Sequence, residues 1–171
     1  MKYRLTEETI QIGGHILHRI ECVTAFAHVK VGDKGGWIES EANLSQYGST
    51  WVYGDARVYD DAKVYGNAWV CGDAKVYGNA KVCDSAEVYG NAEVCGDAKV
   101  CDNADYIVFK NWWSSGRYYT WTRSNNKWRV GCFYGTGEEL IAKAYKDSEV
   151  SGREYKRVVD YVNSILQEGK I

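Results

Sequence analysis

A six-residue unit repeats without a gap through the middle of the chain, and few folds can accommodate it. Its valines are Val52, Val58, Val64, Val70, Val76, Val82, Val88, Val94 and Val100. Alanines stand two places before the later valines and run on to Ala104, with Thr50 in the first slot. Upstream, Gly36-Trp37-Ile38 and Ala42-Asn43-Leu44 keep the same phase, until a two-residue insertion around Tyr47–Ser49 resets it. The alternation Ala-x-Val puts both side chains on one face of a strand. Hairpin strands in a sandwich need turns about every 8–12 residues, so a constant period of six does not fit them. It fits a coil of three short strands, in which each strand pairs in parallel with the one 18 residues away. Gly-Asn and Gly-Asp pairs supply the unusual backbone angles at the corners.

The expected architecture is mainly β. A left-handed parallel β-helix of about four coils spans 38–105, after an N-terminal β-hairpin segment (1–37) and before a C-terminal βββαα cap (106–171). The 18-residue coil assigns outward positions to three faces. The first stacks Trp51, Trp69 and Glu87 beside Tyr53, Cys71 and Tyr89, and its corner carries Asp55 and Asp73. Trp51, Tyr53, Trp69, Tyr89, Asp55 and Asp73 are therefore a candidate interaction face. Side-by-side pairing of solenoids there would make the protein a homo-oligomer, unless the aromatics simply stack to stabilise the coil. The second face stacks Arg57, Lys75 and Glu93, and the third Lys63, Lys81 and Lys99.

Composition matters mainly through its distribution. Residues 1–37 are near neutral at +1, 38–105 reach −7 with twelve acidic groups, and 106–171 reach +4. Such segregation suggests different partners for the two ends, or head-to-tail contact between subunits. The chain has no proline, as suits a backbone whose N–H groups are used in sheet ladders. It has no stretch of about 18 uncharged apolar residues and no apolar leader after Met1. No membrane contact and a cytoplasmic location are expected.

The three histidines, His15, His18 and His28, all precede the regular repeat. The coil resembles hexapeptide-repeat acyltransferases, and that resemblance implies a histidine general base projecting from the coils; with none there, no catalytic residue and no cofactor are expected. His15, His18, Cys22 and His28 could suggest a metal, but a turn at Gly13-Gly14 followed by a strand puts His15 and His18 on opposite faces, and no metal site is expected. Cys71, Cys83, Cys95 and Cys101 replace Tyr at outward positions. Cys83 and Cys101 would be stacked neighbours, expected as reduced thiols in the cytoplasm.

After Ala104 the repeat stops, and the exposed end of the coil needs a cover. Strand-like runs Asp105–Lys110, Arg117–Arg123 and Lys127–Phe133 follow, with turns at Ser114-Ser115-Gly116 and Ser124-Asn125-Asn126. Capping boxes at Thr136/Glu139 and Ser151/Glu154 open two helices. The sheet interleaves aromatics with cations and has no acid over 106–133, as stacking platforms for a nucleotide or single-stranded nucleic acid require. Candidate ligand residues are Trp112, Trp113, Arg117, Tyr119, Trp121, Arg123, Lys127 and Arg129. Alternation places Arg117, Tyr119, Trp121 and Arg123 on one face, which either binds a ligand or packs on the helices.

The segment Gly32-Asp-Lys-Gly-Gly-Trp-Ile-Glu-Ser-Glu-Ala-Asn-Leu-Ser45, leading into Trp51-Val-Tyr-Gly-Asp-Ala56, resembles phage and prophage proteins of the hexapeptide β-helix type. The stretch from Phe109 through Ser124 to Tyr145 is similar to a module often attached to them. The resemblance implies a bacterial-virus accessory protein in the host cytoplasm, and brings no catalytic residues with it. The leading expectation is a non-enzymatic protein that binds and inhibits a host protein or complex, such as a bacterial defence system. The acidic solenoid could mimic nucleic acid in doing so. The alternatives are sequestration of a nucleotide, a cyclic-nucleotide signal or single-stranded nucleic acid by the cap, and a structural role in the virion.

Overall fold

The computed structural model describes residues 1–171, and the chain is mainly β with two C-terminal helices. Strands β1 (Tyr3–Ile12) and β2 (His15–Cys22) form an antiparallel hairpin that turns at Gly13-Gly14. Strand β3 (Lys34–Ile38) pairs antiparallel with β2 and parallel with the first repeat strand on its face. The boundary drawn at residue 37 therefore falls inside β3, and the hairpin and solenoid share one six-stranded sheet.

Nine two-residue strands follow at six-residue spacing: β4 (Trp51–Val52), β5 (Arg57–Val58), β6 (Lys63–Val64), β7 (Trp69–Val70), β8 (Lys75–Val76), β9 (Lys81–Val82), β10 (Glu87–Val88), β11 (Glu93–Val94) and β12 (Lys99–Val100). Each pairs in parallel with the strand 18 residues away, as Val58 with Val76 and Val76 with Val94. The result is a stacked-coil solenoid of about four turns with three faces. Alanine and valine fill its interior, and Val52 through Val100 are all within 1 % of full burial. The corners need left-handed backbone. At Gly66, with φ of 74°, an added Cβ would sit 2.9 Å from the Asp84 nitrogen of the next coil. Asp60 and Asp84 take the equivalent corner conformation with φ of 57° and 55°.

The stacking register also places Cys83 directly under Cys101, with Cα atoms 4.5 Å apart, and the structure joins the two as a disulfide. Reduced thiols were the expectation from compartment. The separation lies within the range that a disulfide spans.

The cap has four strands rather than three. The order is β13 (Tyr106–Lys110), β14 (Tyr118–Thr122), β15 (Lys127–Val130) and β16 (Phe133–Gly135), all antiparallel. Gly131, with φ of 58°, turns the chain and splits the run expected to continue to Phe133. Helix α1 (Gly137–Asp147) starts with the capping box of Thr136 and Glu139. Helix α2 (Glu149–Gln167) starts earlier than expected, because Ser148 and not Ser151 is its N-cap. Ser148 closes α1 and opens α2 with no linker, and Gly152 lets the helices cross closely: a Cβ there would overlap the Tyr145 ring.

The cap sheet is a middle layer. Tyr119, Trp121 and Trp128 point to the helices and pack with Leu140, Ala144, Tyr155, Val159 and Val162. The opposite face lies on the last coil, and that face, the turn after β14 and the residues just before β13 close the coil donor by donor. The Glu87 N–H donates to Asn103 Oδ1 at 2.7 Å, the Glu93 N–H to Thr120 Oγ1 at 2.9 Å, and the Lys99 N–H to Ser124 Oγ at 2.7 Å. The Cys101 N–H donates to Asp105 Oδ2 at 2.9 Å. Side chains thus do what a further coil would have done, satisfying backbone donors that would otherwise be orphaned.

At the other end, His15 ties the hairpin to the coil. Its Nδ1 lies 3.0 Å from Glu39 Oε1 and its Nε2 3.2 Å from Asp60 Oδ1. The bond to Glu39, helped by the Asp60 charge and opposed by burial, raises the imidazole above its ordinary value. A raised histidine contributes stability that is fully present below the unfolded value of about 6.5 and is lost as pH rises through the folded one. The thermal midpoint should therefore fall as pH rises past about 6.5. His15→Gln should flatten that slope in differential scanning fluorimetry; an unchanged slope would assign it to other groups.

Candidate functional site

The solenoid corner at Tyr89–Asn91 and the cap's first strand do not close on each other. Between them lies a groove of about 580 Å³, lined by Tyr89, Gly90, Asn91 and Asn103 on one side and by all of β13 with Tyr118 on the other. That volume falls within the roughly 300–1,000 Å³ of small-ligand sites. A charged extension of about 350 Å³ continues past the shared residues Asn91 and Tyr118, and Arg57, Asp73, Lys75, Glu93, Arg117 and Gly131 line it.

The walls are held in place from below. The Tyr106 hydroxyl donates to the Glu87 carbonyl at 2.7 Å and accepts from the Tyr89 N–H at 3.4 Å. Burial pushes its phenol up to about 12, so it stays protonated as the donor. In the extension, Glu93 receives Lys75 Nζ at 2.8 Å and Arg129 Nε at 3.3 Å. Burial acts to raise the Glu93 carboxyl, but the two cations together outweigh it and hold it below the usual carboxylate range. This pair joins β11 to β15, and so solenoid to cap. A lowered carboxylate contributes stability above the unfolded value of about 4.3 and loses it as pH falls through the folded one. Glu93→Gln should cost about 1–3 kcal/mol by urea denaturation at neutral pH, and the difference from wild type should shrink on acidification.

The cap residues singled out for ligand binding separate into two groups. Tyr119 and Trp121, half of the face identified by alternation, are buried under the helices, and the Trp121 indole donates to Asn126 Oδ1 at 2.8 Å. That face is therefore not a stacking platform; the sheet needs it to hold α1 and α2. Trp113 packs edge-on against Tyr155, with ring centroids 4.9 Å apart. Arg129 is committed to Glu93, and Lys127 sits 5.9 Å from the Tyr134 ring. Arg117, Arg123 and Trp112 remain exposed, Trp112 at 75 %. Of these, Arg117 borders the groove.

The solenoid face changes in a similar way. Trp51 is only 1 % exposed, because Tyr3 and Phe26 close over it with centroids 6.1 and 5.5 Å away. His28 and Tyr53 flank Trp69. The N-terminal segment therefore covers Trp51, which offers no surface for pairing solenoids, and leaves Tyr53 and Trp69 partly exposed. Tyr89 is still 58 % exposed and turns toward the groove, and Asp55 and Asp73 stay exposed at their corner.

Lys110, Tyr118, Tyr106 and Asn91 line the groove and were not among the residues singled out from the sequence. Tyr118 stands opposite Tyr119 in the strand alternation. The docking of the sheet, which no local pattern encodes, decides which of the two faces the solenoid. His15, His18, Cys22 and His28 do not converge: His18 Nδ1 lies 3.1 Å from the Thr6 carbonyl, Cys22 donates to the Thr24 carbonyl, and His28 sits beside Trp69. No helix is long and apolar enough to cross a membrane. No protein-family model matches the chain, and no curated protein matches it in sequence.

Proposed function

We propose that this chain is a non-enzymatic binding protein that holds a partner at the junction of solenoid and cap. In this reading it is a bacterial-virus accessory protein of the hexapeptide-repeat type, with a left-handed coil. It works in the host bacterial cytoplasm by occupying and blocking a host protein or complex, a defence system among the candidates. The observation that carries the reading is the groove itself, preformed, walled by tyrosines and braced through Tyr106.

The immobilised chain should capture one host protein from bacterial lysate, and Tyr118→Ala should abolish that capture. Capture unaffected by Tyr118→Ala would remove the groove from the account. The salt response separates the groove from the acidic solenoid. Nine of the twelve acidic groups in 38–105 are exposed, spread over all three corners. Binding through them as a nucleic-acid mimic would fade steeply with ionic strength. The exposed Lys110, Arg117 and Tyr118 favour a second reading, sequestration of a nucleotide. A thermal shift with a nucleotide panel tests it, because ligand at 100 times its dissociation constant adds about 2.7 kcal/mol. No shift with any nucleotide would end that reading.

A further inference from the structure

Most of the chain's sheet edges are blunted or capped. Edge strand β1 carries Arg4, Glu7 and Glu8 and a register shift between Leu5 and Thr9, and charge and irregularity of this kind blunt an edge. Edge strand β16 is only three residues long. The last coil is closed by Asn103, Asp105, Thr120 and Ser124. Strand β13 is different. It reads Tyr-Ile-Val-Phe-Lys, has no bulge, and pairs on one side only.

Its register shows which groups are open. The Arg123 N–H donates to the Asp105 carbonyl and the Asn111 N–H to the Arg117 carbonyl, so the odd-numbered residues between them face β14. Antiparallel pairing alternates, so the backbone N–H and C=O groups of Tyr106, Val108 and Lys110 point away from β14. No other part of the chain bonds to them. The 580 Å³ groove runs along this edge, with the solenoid corner as its far wall.

We propose that β13 receives an extended peptide segment of the partner as an added strand, and that this segment is acidic. The proposal rests on the binding-protein reading and names its site and chemistry. Strand addition draws affinity from main-chain bonds and selectivity from pockets for alternate side chains. Here Tyr89, Tyr106 and Tyr118 supply apolar walls. The sign of the charge follows from the lining: Lys110 is its one charged residue, and in the adjoining extension Arg57, Lys75 and Arg117 outnumber Asp73 and Glu93. A second copy fits less well, because its own β13 would bring another Lys110 and no carboxylate.

The test uses a display library of random twelve-residue peptides panned on the whole protein. Enriched sequences should be acidic with alternating apolar positions. Val108→Pro removes an outward N–H without touching the β13–β14 ladder, and should weaken the selected peptides at least ten-fold. Tyr89→Ala, on the opposite wall and outside the core, should weaken them too and keeps the test valid if the proline variant does not fold. Lys110→Glu should shift the selected sequences toward basic ones. No enrichment, or peptides that bind all three variants as they bind wild type, would overturn the proposal. A host protein captured equally by wild type, Tyr89→Ala and Lys110→Glu would overturn strand addition while leaving the binding-protein reading standing. Failure to capture any host protein counts against that reading instead.

Discussion

Replacing Trp121 with alanine is expected to destabilise the protein by about 3–5 kcal/mol. Trp121 is fully buried at the centre of the cap, among Tyr119, Trp128, Leu140 and Tyr155. Truncation forfeits the transfer energy of the indole and leaves a cavity that strands and helices on both sides cannot collapse to fill. It also strands Asn126 Oδ1, which accepts from the indole in a turn where Asn126 itself has φ of 49°. Urea denaturation followed by far-ultraviolet circular dichroism is the measurement. A loss under about 1 kcal/mol would mean that Trp121 is a surface residue, as a ligand platform would be. Because Thr120 and Ser124 from the same sheet cap the last coil, loosening the cap should expose that coil's backbone donors.

Val76→Asp is expected to prevent folding of the solenoid at neutral pH, at a cost above about 4 kcal/mol. Val76 is fully buried and is stacked between Val58 and Val94, within a core of alanine and valine. A carboxylate there has no cation to pair with, and the coil leaves no room for water. Val76→Ala should cost only roughly 2–3 kcal/mol, which separates lost packing from buried charge. Protonation would relieve part of the penalty, so the aspartate variant should recover some structure at acid pH. Two variants of equal stability would contradict a dry solenoid core.

The solenoid was legible because its signal is periodic and its contacts are local in register. Once Val58, Val76 and Val94 are seen to be 18 residues apart, their stacking follows. The cap's helices were legible from capping chemistry at Thr136, whereas the true cap of α2, Ser148, was obscured by sharing its residue with the end of α1. The candidate site was mostly hidden. Alternation grouped Tyr119 with Trp121 correctly, but it cannot say which side of a sheet meets the helices and which meets the coil. Trp51 shows the same limit, since its outward position in the repeat became interior when Tyr3 and Phe26 folded over it. The groove is a product of docking between two units, and only the docked structure shows Tyr89 facing β13.

Amide hydrogen exchange at Val108 and Lys110, read by nuclear magnetic resonance with and without a selected acidic peptide, tests the central claim most directly. In the free protein these two N–H groups have no partner, while the Ile107 and Phe109 amides face β14. The account predicts fast exchange at Val108 and Lys110 that slows sharply when the peptide binds, with little change at Ile107 and Phe109. Bound peptide that leaves Val108 and Lys110 exchanging as before, with new protection elsewhere, would contradict it.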